Sequence, residues 1–169
     1  SAGLAWLDSE LTENYCGFVD TSGKPETRPD CPSVDEDGNP TTADPEARKG
    51  TPLPVTPEWK ANATVRYEFP VATFDSYVQG AVVYSDERRT DLRDLENSII
   101  GDMPSYTVAD IAAGFGKDGW RLELFVSNVF DELAQVSRFA QCAETVCGSE
   151  VYVVPQRPRT IGLKFSQEF

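Results

Sequence analysis

The chain has no histidine, a single methionine, and only 15 Lys+Arg against 28 Asp+Glu, for a net charge of -13 over 169 residues. Each scarcity excludes something. Without histidine the commonest general base is gone, and no nucleophile sits in an elbow or glycine-rich turn that would activate it, so neither catalysis nor a cofactor is expected. The acidic balance would repel a phosphate backbone, which removes nucleic acid as a partner unless a basic face is segregated. No stretch comes near the roughly 18 consecutive apolar residues of a spanning helix, which excludes a helical membrane protein. The opening at Ser1 has neither a charged n-region nor an apolar h-region, so any signal peptide is expected to be removed or to lie upstream.

The four cysteines fall as two local pairs in polar stretches, Cys16 with Cys31 and Cys142 with Cys147. That spacing suits two loop disulfides in an oxidising compartment, although four cysteines permit three pairings. Zinc is the competing use, but there is no histidine and neither pair has CxxC spacing. Asp35-Glu-Asp-Gly-Asn39 has its glycine two places too early for a calcium loop and reads as a solvated turn. Asp86 to Asp94 alternates in charge sign and reads as a hydrated loop. Arg157 and Arg159 suit an interfacial position.

Residues 59 to 69 place Trp59, Ala61, Ala63, Val65, Tyr67 and Phe69 on one face and Lys60, Asn62, Thr64, Arg66 and Glu68 on the other. Strict alternation over eleven residues is a strand signal, because successive side chains point to opposite faces. The same period recurs at 77–86, at 105–116, at 120–127 (Trp120, Leu122, Leu124 against Arg121, Glu123) and at 159–169 (Ile161, Leu163, Phe165, Phe169 against Lys164). Residues 2–13 form a sixth candidate.

The connections alternate between short and long. Pro70 to Thr73 and Gly116 to Gly119 are hairpin turns. About 14–57, 87–104 and 132–158 are long, polar loops, and eight of the twelve prolines lie between Pro25 and Pro57, where a ladder would not tolerate them. Short on one side and long on the other is the layout of an outer-membrane barrel, with aromatics near the strand ends as interfacial girdles. The expected fold class is therefore all-β, an antiparallel transmembrane β-barrel. A soluble β-sandwich also alternates, but its connections lack this rhythm and its apolar faces turn toward a second sheet.

Several stretches carry a resemblance. Leu53-Pro-Val-Thr-Pro-Glu-Trp-Lys-Ala-Asn62, Ser105 to Phe115, Trp120 to Asp131 with its Asn128-Val-Phe-Asp box, and Arg157-Pro-Arg-Thr with Gly162 to Phe169 resemble, in order, the end of a TonB-dependent outer-membrane receptor. The resemblance implies that residues 1–169 are the six C-terminal strands of a barrel of about 22 strands, with the plug domain absent from this chain. It implies lumen-facing Lys60, Asn62, Thr64, Arg66, Glu68, Arg121, Glu123 and Lys164. It implies lipid-facing Trp59, Val65, Tyr67, Trp120, Leu122, Leu124, Leu163 and Phe165, and an assembly signal at Phe169. The implied partners are the remainder of the barrel and the plug, the TonB complex acting through the plug, and lipid with lipopolysaccharide. The implied place is the bacterial outer membrane, and the implied role is active uptake of a siderophore, cobalamin, metal chelate or saccharide. Two rivals stand beside it: another porin-like outer-membrane channel, and a secreted, disulfide-bonded β-sandwich that binds a ligand.

Overall fold

A computed structural model of the chain describes residues 1–16, 31–34, 40–43, 45–140 and 150–168. In chain order the elements are β1 (Ala2–Trp6), β2 (Cys31–Val34), β3 (Pro40–Ala43), β4 (Trp59–Val71), β5 (Phe74–Ser85), α1 (Asp94–Ile100), β6 (Tyr106–Lys117), β7 (Trp120–Ser127), β8 (Gln135–Phe139), β9 (Tyr152–Pro155) and β10 (Thr160–Gln167). The six alternating stretches join in one antiparallel sheet of order β1-β4-β5-β6-β7-β10, and β2-β3 and β8-β9 form separate two-stranded ribbons. The sixth candidate is shorter than its sequence pattern: pairing stops at Trp6 opposite Trp59.

The sheet is open. β1 and β10 lie at opposite edges and do not pair with each other. A sheet that spans lipid must close, because an unpaired edge would leave backbone N–H and C=O groups without partners in hydrocarbon. The expectation of a transmembrane barrel is corrected on this ground: the described residues form an open all-β sheet with two ribbons. The porin-like rival falls with it.

The register explains the two short connections. Asp118 (φ 50°) and Gly119 (φ 85°) both take the left-handed conformation that a tight hairpin turn needs. At the β4–β5 turn the left-handed position is held by Ala72 (φ 55°), where a Cβ is penalised.

The long connections carry structure that their composition did not announce. The 14–57 segment folds back through bridges of Glu10 with Pro52 and Tyr15 with Ala47, and contains the β2-β3 ribbon. The 87–104 segment contains α1, and the 132–158 segment contains β8-β9. The register sets Lys60 opposite Ser85, Ser85 opposite Tyr106, and Ser127 opposite Thr160, so all three long connections leave the same end of the sheet. Most of the buried apolar residues, Cys16, Cys31, Ala47, Met103 and Ala134, belong to these connections, whereas Val65, Ile161 and Leu163 on the sheet stay exposed.

Replacing Ala72 with glycine removes the Cβ penalty at a left-handed position, about 1–2 kcal/mol, against an added unfolded-state entropy of about 0.5–1 kcal/mol. Ala72→Gly is expected to stabilise the protein by up to about 1 kcal/mol in chemical denaturation; a lower unfolding midpoint would contradict this account of the turn.

Candidate functional site

Direct cross-strand partners share a face, so the register sorts the side chains. One row runs Glu68, Tyr77, Gly114, Glu123, Lys164; the next runs Arg66, Gln79, Ala112, Phe125, Gly162. Lys60, Asn62, Thr64 and Arg121 fall on the same face by alternation along their strands. The opposite face carries the rows Val65, Gly80, Ile111, Val126, Ile161 and Tyr67, Val78, Ala113, Leu124, Leu163, with Leu122 beside Phe165 in the row after. Trp59 and Trp120 belong to that face too. The two groups read from the sequence therefore sit on two faces. Naming those faces lumen and lipid presupposed a closed barrel.

The polar face is organised by one aromatic. Tyr77 lies across β6 because its partner there is Gly114, where a Cβ would meet the Tyr77 ring at 2.5 Å. From that position its hydroxyl donates to the Glu123 carboxylate on β7. Lys164 Nζ reaches the other Glu123 oxygen at 3.2 Å, and the Arg66 guanidinium stacks on the Tyr77 ring at 3.6 Å while its Nε donates to Glu68 at 2.8 Å. Phe125 repeats the device over Gly162. Burial and the bond to Glu123 push the Tyr77 hydroxyl above its ordinary pKa. The Tyr77 hydrogen bond, joined by Lys164, holds the Glu123 carboxyl below its ordinary value against a smaller effect of burial. The sequence reading assigned Glu123, Arg66 and Lys164 but missed Tyr77. The available signal was a large aromatic at the weakly contrasted face of 77–86, near glycines in 105–116.

The loop end is built by three polar side chains. Asn128 is buried with φ 52°; its amide donates to the Glu132 carbonyl at 2.9 Å and the Arg157 carbonyl at 3.1 Å, and its side-chain oxygen accepts from the Glu132 N–H at 2.9 Å. Asn97 of α1 accepts from the Thr90 and Asp91 N–H groups, both at 3.0 Å, and donates to Asp102 at 2.8 Å. Arg88, nearly buried, donates to the Gln135 carbonyl at 2.7 Å and to Ser85 Oγ at 3.3 Å. The segment read as a hydrated charge run is thus folded, with Arg89 paired to Asp94 at 2.6 Å and Arg93 to Asp91 at 3.2 Å. Burial acts to raise the Asp91 pKa, but hydrogen bonds from the Arg93 side chain and backbone outweigh it and hold the carboxyl below its ordinary range.

Cys16 and Cys31 form a disulfide, one of the two expected from spacing. Cys142, Cys147, Phe169 and the Asp35–Asn39 turn lie outside the described residues. Among the described residues no three His, Cys, Asp or Glu side chains gather as a metal site, and no helix is long and apolar enough to cross a membrane.

The family model described as "TonB dependent receptor-like, beta-barrel" matches residues 3–129. The chain belongs to this family. No curated protein and no solved structure matches it. Within the TonB dependent receptor-like family, the resemblance first drawn over nearly the whole chain needs correcting. The match ends at Val129, so β10 and the proposed assembly signal at Phe169 lie beyond it, and the matched strands form an open sheet where a C-terminal barrel segment was expected. What hung on closure falls with it: TonB-driven siderophore or other uptake, the plug, TonB and lipopolysaccharide as partners, and the outer membrane as location. None has support from a sheet with two free edges.

Two measurements test the site's geometry. Tyr77→Phe removes the main cause of the depressed Glu123 pKa, so carboxyl-detected NMR titration should find Glu123 titrating at higher pH in the variant. In the native protein the stability contributed by ionised Glu123 is present above the ordinary carboxylate pKa and fades as pH falls through its lower folded value. The variant should show a weaker acid dependence. An unchanged Glu123 titration would remove Tyr77 from this role. Asn128→Ala loses three hydrogen bonds of about 1 kcal/mol each and places alanine in the left-handed region. A loss of about 2–4 kcal/mol is expected by denaturant unfolding; a loss near zero would show that Asn128 does not hold the loops.

Proposed function

We propose that this chain is a non-catalytic, disulfide-bonded β-sheet binding module of an oxidising compartment, whose loop-bearing end recognises a cationic ligand or partner surface. One observation carries the reading: all three long connections leave the same end of the sheet. In sequence the segments that join the strands at this end, 7–58, 86–105 and 128–159, hold 22 of the 28 Asp+Glu against ten of the 15 Lys+Arg. Recognition concentrates on loops presented by a scaffold, and a net excess of one charge sign raises the local concentration of the opposite one. A cleft of about 250 Å³ lies at this end, lined by Glu58, Asp86, Glu87, Arg88, Arg89 and Asp102 among others. The Cys16–Cys31 disulfide supports the compartment. On the opposite part of the molecule Tyr77 and Glu123 satisfy one another, which makes them structural partners and not an acid and a base awaiting a substrate.

Calorimetric titration with hexalysine and with hexaglutamate tests the reading. Binding of hexalysine is expected at low salt, weakened about tenfold or more at about 0.5 M salt and reduced in Glu58→Gln/Glu87→Gln, with no binding of hexaglutamate. Equal binding of the two peptides, or no hexalysine binding at low salt, would overturn it.

A further inference from the structure

The apolar face of the six-stranded sheet is left open by the described residues. Its rows run from Ala61, Tyr84 and Thr107 at the loop end to Phe69, Ser76, Phe115, Leu122 and Phe165 toward the turns, and none of these rows holds an Asp, Glu, Lys or Arg. In a chain of net charge -13 that is a marked segregation, and most of the acidic excess lies on the long connections instead. Val65, Tyr67, Ile161, Leu163 and Phe165 are each 62% to 71% exposed. These side chains alone present on the order of 600 Å², and the partly covered residues between them bring the face to on the order of 900 Å², against about 800 Å² per partner in a standard protein interface. A hollow of about 460 Å³ opens among Val65, Tyr67 and Leu124, where a Cβ on Gly80 would meet no atom within 4 Å.

Whatever covers such a face must bring apolar area and no charge. Lipid does not fit, because the free edges of β1 and β10 border the face and would carry unpaired backbone groups toward hydrocarbon. A second sheet fits. Two sheets stack about 10 Å apart with their side chains interleaved, which would fill the hollow over Gly80 while the edges stay in water. A different protein would be selected by charged anchors, which these rows lack; interfaces between identical chains are the more apolar kind, and a two-fold contact sets one patch against itself. We propose that two copies of this chain pack face to face through this sheet, each supplying the apolar layer that the other lacks.

Sedimentation equilibrium of the full chain in buffer without detergent tests this. At about 100 μM, ample for a micromolar dimer, the mass is expected at twice the 18.6 kDa of one chain. Val65→Lys and Leu163→Lys, which would bury a charge in the contact on both copies, should give single-chain masses with unchanged far-UV circular dichroism, and Thr64→Lys on the polar face should remain a dimer. Should the lysine variants unfold, Val65→Thr, which adds only a hydroxyl, is expected to weaken the dimer at least about tenfold. Raising salt to about 0.5 M should tighten the dimer by screening the net charge of the two copies. That is the reverse of its effect on hexalysine binding, so the two readings fail separately. A single-chain mass for the native protein, a mass that keeps climbing with concentration, or a dimer indifferent to the Val65 and Leu163 substitutions would overturn the proposal. So would a native single chain that binds phosphatidylcholine vesicles and loses that binding in Val65→Lys, which would assign the face to lipid.

Discussion

The ladder joining β5 to β6 sets Tyr77 opposite Gly114, and a slip of one residue in that ladder would set it opposite Ala113 or Phe115. Neither leaves room for the ring, since even the first carbon of a side chain at Gly114 would overlap it. The same slip would carry Val78 and Val82 to the polar face and Gln79 to the apolar one, because side chains reverse with each residue. Register, Tyr77 and the separation of faces are thus one constraint expressed three times. The Arg66, Glu68, Glu123 and Lys164 contacts follow from it, as these residues meet only because their strands are aligned on either side of that ring.

At the other end of the strands a different economy holds. The long connections are too polar to form an ordinary core, and they are assembled by polar side chains that satisfy backbone groups: Asn128, Asn97 and Arg88 each bond carbonyls or N–H groups that the turns leave open. A backbone that leaves the ladder must find such partners or face water. Helix α1 is placed by the same logic. It has no side-chain N-cap, but Asp94 and Glu96 in its first turn favour the positive end of the helix dipole, and Gly101 (φ 76°) ends it.

What the sequence disclosed and what it hid divide along physical lines. The strands at 59–71, 74–85, 106–117, 120–127 and 160–167 were legible because a period of two is written into each segment independently of its neighbours. Closure was not legible, since whether a sheet becomes part of a barrel is decided by edges and curvature that no single strand encodes; the short-long rhythm of the loops suggested a segment of a larger barrel, and the sheet of the described residues is open. Helix α1 was hidden because seven residues are too few to display a helical period, and the charges before it read equally well as a solvated run. The Cys16–Cys31 pair was foreseen from local spacing. Tyr77 was missed because its importance comes from a glycine thirty-odd residues away, which only pairing brings beneath it.

The exposed apolar face ties these points together. Val65, Ile161, Tyr67, Leu163 and Phe165 are all more than half exposed, and burying side chains of this kind contributes about 1.5–3 kcal/mol each. The described residues supply no second layer to collect that contribution, although a sheet with one apolar face needs one. Cohesion within the chain therefore comes from two other sources: the hydrogen-bonded ladders, with the Tyr77 and Phe125 rings laid over glycines, and the buried residues Cys16, Cys31, Ala47, Met103 and Ala134 of the long connections. The segments that present the acidic loop end are thus the same segments that bury most of the interior, and their shape is held by packing as well as by polar bonds.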